Sequence, residues 1–443
     1  MANTRVLVTG ATGKIGGAVA AQLLDKGVTT RAMVHREDGR SARLRALGAE
    51  VVVADMFDIQ RVQPALDGVD RLYFNPPFHP HVLDSAVAFA VAARRSGVEA
   101  VVALGAWLTS PEHPSLLMRQ CWLTNRLFEL MPDTAHVAVD PGYFADNYLT
   151  QLPLAAQLGV LAMPTGMRRN APPSNEDIAR VAVGALLDPH RHDGRAYRPT
   201  GPTMLSGAEI AEAVGEALGR RVRHREIPEW MFMRAVRINA KRLGLDLFFE
   251  SSLRHFLPEY ALGTYEFGGP TTHVRDVAGV EPEDFLTIAR RYVAGSDCRR
   301  TAGNLIRQIW NTVLIGLVPM HRLDKFDRQQ QHPQPAHPRY SGESVVWRNQ
   351  HTETAESAEH RIGTILTPTR HRSNATDPNP TTFARARMPR QFGGSAESIT
   401  SLRSRHERRR PPPKDGAREF LGTPPARRQT HAIRVDTHRR TTR

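Results

Sequence analysis

Cysteine is nearly absent from this chain. Among 443 residues only Cys121 and Cys298 carry a thiol, which excludes a disulfide framework and a cysteine-based metal set. No apolar run reaches the roughly 18 residues that a membrane-spanning helix needs. The longest late candidate, from Ile309 to Met320, is shorter and is interrupted by Asn311 and Pro319. An excess of basic charge is also missing where a folded body is expected. Up to Cys298, 32 Lys and Arg face 33 Asp and Glu, whereas beyond it 27 face 12, so the net +14 belongs to the last third. A nearly neutral body lacks the basic face that a phosphate backbone requires, so nucleic acid is not an expected partner. Lysine almost disappears after 299, leaving only Lys325 and Lys414 among many Arg, His, Pro, Gln, Ser and Thr. Stretches such as QQQHPQPAHP and RHERRRPPPK bury too little apolar surface to offset chain entropy, and 299–443 reads as a disordered Arg/Pro-rich tail. At the other end MANTRVLVTG runs straight into a strand pattern, which with the scarce cysteines predicts a cytoplasmic protein without a leader.

What is present is alternation. Short apolar runs at Arg5–Thr9, Thr29–Val34, Glu50–Ala54, Arg71–Phe74, Ala100–Leu104 and His136–Val139 are separated by stretches of helical spacing, including 16–26, 41–47, 80–96 and 115–131. Strands that alternate with helices make βαβ units and a parallel sheet covered on both faces. Right-handed crossovers then give an α/β doubly wound sheet over 1–140. From 141 to 298 helical patterns dominate, at 174–187, 206–218, 228–243 and 282–293, with short strands at 196–200 and 221–226. This part reads as a smaller, mostly helical substrate-side domain over the carboxyl ends of the strands, with some elements free to return to the first sheet.

The first strand ends in Thr9-Gly10-Ala11-Thr12-Gly13-Lys14-Ile15-Gly16-Gly17. Three glycines at this spacing, after a strand and before a helix, have separate jobs. Gly10 allows a sharp turn, Gly13 lets a diphosphate approach the backbone, and Gly16 lets the helix pack closely on the sheet. The helix N-terminus offers unpaired N–H groups to an anion. At the end of the second strand, where an acid would bind the ribose hydroxyl of NAD, the sequence has His35 and Arg36. A guanidinium suits a 2′-phosphate, so NADP is favoured over NAD; the alternative is a surface Arg36 paired with Glu37 or Asp38. Asp55 ends the third strand, in a position near an adenine or as the cap of the next helix. Asn75 ends the fourth, beside Pro76 and Pro77.

These residues resemble the NmrA-like group of atypical short-chain dehydrogenase/reductases, over roughly 3–295. The carrying segments are VTGATGKIGGAVAAQLLDKG, GAEVVVADMFDIQRVQPALDGVDRLYF, PGYFADNYL, NEDIARVAVGALLDP and YRPTGPTMLSGAEIAEAVGEALGRRV. The resemblance implies a Rossmann NAD(P)-binding domain with cofactor contacts at Gly10, Thr12, Gly13, Lys14, Ile15, Arg36, Asp55 and Asn75. It implies that Gly105 and Ala106 lie near the nicotinamide, and that Tyr143, Phe144 and Asn147 line the substrate side.

Typical members of the wider superfamily use a Tyr with a Lys four residues later to deliver a proton. No such pair exists between 100 and 150, and the serine usual after the fifth strand is replaced by Gly105-Ala106-Trp107. Asp140 precedes Pro141 where many relatives carry Arg, which puts a local ion pair or a substrate contact in doubt. Hydride transfer to a quinone or an activated double bond needs no tyrosine if the site positions both partners. Trp107, Trp122, Tyr143 and Phe144 are candidates for a flat apolar slot, or else ordinary core. His79 and His81 have no acidic or cysteine neighbour at ligand spacing, so no metal site is expected. Two readings remain: an NADPH-dependent oxidoreductase acting on a small molecule, and a non-catalytic NADP sensor acting on a protein partner.

Overall fold

The computed structural model describes residues 4–294 and 298–352. Six strands follow one another through the first part: β1 (Arg5–Val8), β2 (Thr29–Val34), β3 (Glu50–Val53), β4 (Arg71–Phe74), β5 (Ala100–Leu104) and β6 (Ala135–Val139). Between them run α1 (Lys14–Asp25), α2 (Gly39–Ala46), α3 (Ile59–Leu66), α4 (Val82–Ser96) and α5 (Leu116–Glu129). After β6 come α6 (Ala145–Leu149), α7 (Leu152–Leu158), β7 (Val160–Met163), β8 (Arg169–Asn170), α8 (Asn175–Leu187) and β9 (Ala196–Tyr197). Strands β10 (Leu205–Ser206) and β11 (Arg223–Glu226) complete the set. The main sheet has seven strands in the order β3-β2-β1-β4-β5-β6-β9, and its pairings are all parallel.

Period-two alternation explains why this sheet is buried on both sides. Val6, Val8, Tyr73 and Val102 enter one core, closed by Val19 and Leu23 of α1 and by Ile178 and Val181 of α8. Leu7, Leu72, Phe74 and Val101 face the other way, into a core closed by Val62 and Leu66 of α3 and by Phe89 of α4. Strand order reverses between β1 and β4, so their carboxyl ends splay apart and open a crevice.

The residues after 140 are interleaved with this sheet. Helix α8 lies against α1, and β9 supplies the seventh strand by pairing with β6. Local signals place these pieces well. Ser174 accepts the Asp177 N–H at the start of α8, and Ser206 and Glu209 form a reciprocal capping box on helix Gly207–Ala217. Periodicity did not reveal β7, α6 or α7, which are short and rest on tertiary packing.

Order extends past the expected boundary at 299. Thr301 caps helix Ala302–Leu317 through the Asn304 N–H, and Leu323 and Trp347 are buried. Ser341 donates through Oγ to the Leu108 carbonyl at 2.9 Å, and the Arg339 N–H reaches the Glu112 carbonyl at 2.9 Å. The reading of this stretch as unordered is therefore corrected for 301–352. Average composition hid a few large apolar residues that need not build a core of their own, because the body supplies their partners. The remainder of that expected tail, 353–443, lies outside the described residues. No helix among the described residues is long and apolar enough to cross a membrane.

Candidate dinucleotide site

The glycine turn sits at the mouth of the β1/β4 crevice. Gly10 has φ +60°, a left-handed conformation that favours glycine. A Cβ on it would come within 2.9 Å of Asn75 Nδ2. Thr9 ties the two strand ends together: its Oγ1 accepts the Asn75 N–H at 2.8 Å and donates toward the Tyr73 carbonyl at 3.2 Å. Gly16 is the tightest position. A Cβ there would lie 2.4 Å from the Gly10 carbonyl oxygen, so only glycine lets α1 approach the turn this closely. Gly13 caps α1 with extended backbone, no side chain bonds to the first turn, and no acid stands in it. The exposed Gly13 and Lys14 and the half-buried Thr12 line this end, while Ile15 is buried. Donors left open at a helix N-terminus, next to a backbone without side chains, fit a diphosphate.

At the end of β2, Arg36 is exposed. Its sequence neighbours are committed elsewhere. Glu37 pairs with Arg45 at 2.7 Å, and Asp38 caps α2 and pairs with Arg40 at 2.7 Å. The surface pairing of Arg36 with either acid is therefore not what this structure holds. Arg40 also leans toward the turn, donating to the Thr12 carbonyl at 3.4 Å. Asp55 does not cap α3, a role taken by Asp58; it accepts the Phe57 N–H at 3.0 Å and stays exposed.

The second region meets the turn through an ion pair that spans most of the sheet-forming sequence. Lys14 Nζ lies 2.6 Å from Asp146 Oδ1, on the helix that follows Tyr143 and Phe144. The same ammonium is 5.9 Å from the ring centre of Tyr292, whose hydroxyl receives the Asn175 amide at 3.2 Å. Asp146 and Tyr292 were not singled out in the sequence, because nothing local marks them. Asn147 is half-buried one residue along from Asp146.

The four aromatics are divided by the structure. Trp107 and Tyr143 share one buried cluster with Tyr148, Tyr260 and Tyr265. Trp107 donates to the Thr264 carbonyl at 3.0 Å, Arg198 lies 3.9 Å over its ring, and Trp347 and His351 pack against its faces and edge. Phe144 instead borders the core under α8, and Trp122 stands half-buried on α5 beneath Arg126. No cluster of three or more His, Cys, Asp or Glu suited to a metal occurs among the described residues.

Where β5 and β6 end, Gly105 and Asp140 touch. A Cβ on Gly105 would lie 2.0 Å from Asp140 Oδ1 and 3.2 Å from Asn125 Nδ2. Asp140 keeps some solvent contact, yet its Oδ1 is enclosed and has no hydrogen-bond partner. Burial pushes the Asp140 carboxyl up to about 7; Asn125 and Arg126 pull only partly in the opposite direction. The neighbouring Cys121 thiol is pushed up to about 12, chiefly by burial and further by Asp140, which leaves it inert at neutral pH.

The NmrA-like family profile matches residues 2–106. Over 220 residues the chain is 33% identical to an NAD(P)H azoreductase from Xenophilus azovorans, spanning 49% of this chain and 76% of that protein. The chain belongs to the NmrA-like family. Among solved structures, the Escherichia coli NADPH-dependent quinone oxidoreductase bound to NADPH superimposes with a TM-score of 0.55 at 20% identity, covering 65% of this chain and 99% of that one. NmrA itself, a negative transcriptional regulator solved with NADP, does so with a TM-score of 0.53 at 15% identity, covering 66% and 95%. This NmrA-like chain thus shares its fold with proteins solved with NADPH or NADP, one a quinone oxidoreductase and one a transcriptional regulator.

Proposed function

We propose that this NmrA-like protein is an NADPH-dependent oxidoreductase that delivers hydride to a small apolar acceptor, such as a quinone or an activated double bond, without a Tyr–Lys relay. The observation that carries the reading is the glycine turn, open at the N-terminus of α1, with Arg36 exposed and uncommitted at the end of β2. In this reading Gly10, Thr12, Gly13, Lys14, Ile15 and Gly16 cradle the diphosphate, and Arg36 takes the 2′-phosphate. Asp55 and Asn75 flank the adenine side and the crevice, and Gly105 borders the nicotinamide. NADP would supply hydride chemistry when bound. The chain's own work is to orient both partners and to exclude water. Lys14, neutralised by Asp146, holds the turn against the substrate-side helix at 2.6 Å.

A second reading, an NADP sensor acting on a partner, draws on the packing of Trp107 and Tyr143 inside a filled aromatic cluster. That packing leaves no ready-made slot between these two rings. One experiment separates the readings: NADPH oxidation is followed at 340 nm against a panel of quinones and azo dyes, with NADP+ affinity measured alongside. Turnover with at least one acceptor supports the enzyme. Tight NADP+ binding without turnover supports the sensor.

A further inference from the structure

We infer that Asp140 is the proton donor of this site, a carboxylic acid at the tips of β5 and β6 that protonates the acceptor as hydride reaches it. The inference rests on the oxidoreductase reading above and identifies the acid that the missing Tyr–Lys pair leaves unassigned.

Position is the first argument. Asp140 follows the last residue of β6 and lies against Gly105, which follows the last residue of β5. Ligands of open parallel sheets bind outside these carboxyl ends. Gly105 has no side chain, and any Cβ would occupy the place of the carboxyl, so this position of the acid requires glycine at 105. Electrostatics is the second. An enclosed, unpartnered carboxylate oxygen is costly when ionised and much less so when protonated. The groups around it do not reverse that preference. On α5 stand Cys121, Asn125, Arg126 and Glu129; on the β5 side is the Ala106 N–H; and on β9 the Tyr197 carbonyl accepts the Asp140 backbone N–H at 2.7 Å. Only Arg126 opposes protonation by charge, and it is drawn to Glu129 on the next turn. A carboxyl poised near neutrality matches the working range of a general acid.

The step balances simply. The acceptor gains two electrons with a hydride from NADPH, which is oxidised to NADP+. The O–H bond of Asp140 breaks as an O–H or N–H bond, or a C–H bond in an activated alkene, forms on the acceptor. The carboxylate then regains its proton from water.

The test begins without turnover. Full-length protein labelled with 13C at aspartate carboxyls is titrated by NMR, and the Asp140 signal is assigned by its loss in Asp140→Asn or its displacement in Asp140→Glu. A carboxyl titrating near 7 is expected, and one titrating below 5 overturns the proposal. Next, kcat is measured from pH 5.5 to 9 with the best acceptor of the panel. The wild-type rate should fall about tenfold per unit above pH 7, and Asp140→Asn should be about 100-fold slower at pH 6 with a flat profile. NADP+ affinity should stay within about twofold. An Asp140→Asn enzyme that keeps the wild-type profile overturns the donor role and leaves the oxidoreductase reading standing. NADP+ binding by the wild-type chain with no turnover of any acceptor overturns both.

Discussion

Replacing Asp140 by Asn should stabilise this protein above neutral pH and do progressively less as the pH falls. The acid's ordinary value of 3.8 is raised to about 7 by burial in the fold. Between those values the folded chain holds a proton that the unfolded chain has released, so stability falls as pH rises from about 4 to about 7. Each pH unit in that window corresponds to about 1.4 kcal/mol, and the full interval sets a ceiling of about 4 kcal/mol. Partial solvent contact of the residue and local relaxation reduce this to about 2 kcal/mol. An amide of the same shape carries no such penalty. The stability difference, Asp140→Asn minus wild type, should therefore climb by about 2 kcal/mol across pH 4–7 and level off above. His136 acts with the opposite sign. Burial lowers it to about 3, so it costs stability as pH drops below about 6.5. It is present in both proteins and cancels in the difference. Urea midpoints from pH 4.5 to 8.5, with slopes checked for constancy, measure the effect. Parallel curves for the two proteins would refute the reasoning.

The other expectations concern the turn, the cofactor's phosphate and the late segment. Gly16→Val places carbons against the Gly10 carbonyl, where a Cβ alone already sits at 2.4 Å; NADP+ binding should be lost, with destabilisation of about 1–3 kcal/mol in thermal or urea unfolding. Arg36→Glu should weaken NADPH by at least tenfold more than NADH in calorimetric titrations, because only the former carries the 2′-phosphate; equal losses would dismiss the assigned contact. Trp347→Ala, at a side chain only 3% exposed, should cost about 3–5 kcal/mol by urea unfolding if the late segment docks in solution as it does here. Truncation before Pro333 removes two N–H donors from the buried Glu259 carboxylate, those of Ser341 at 2.5 Å and Gly342 at 3.0 Å; the shortened chain should unfold at a lower urea concentration.

Sequence patterns carried the architecture because its determinants are local. Alternation of Val6, Leu7 and Val8 decides which face of the sheet each enters, and Ser174 and Ser206 announce their helices by capping chemistry alone. Gly10 and Gly16 also declare themselves, since a left-handed turn and a close helix approach demand glycine wherever they occur. The late segment escaped this kind of reading. Trp347 lies in a stretch whose average composition is that of solvated chain, and its burial depends on Trp107 and Phe267, contributed by much earlier parts of the sequence.

Charge state and proximity belong to the tertiary structure. Lys14 meets Asp146 across 132 positions, and no spacing rule connects them. Trp107 was legible as an aromatic near the end of β5, yet whether it faces a ligand or a packed cluster depends on Trp347, His351 and Arg198 closing over it. Asp140 stood out in the sequence only as an acid before a proline. Its raised affinity for a proton arises because β5, β6 and α5 together remove water from one oxygen, while the nearby Asn125 and Ala106 donors compensate only in part. Backbone geometry can be written into consecutive residues, whereas the dielectric around an atom is set by every element that encloses it.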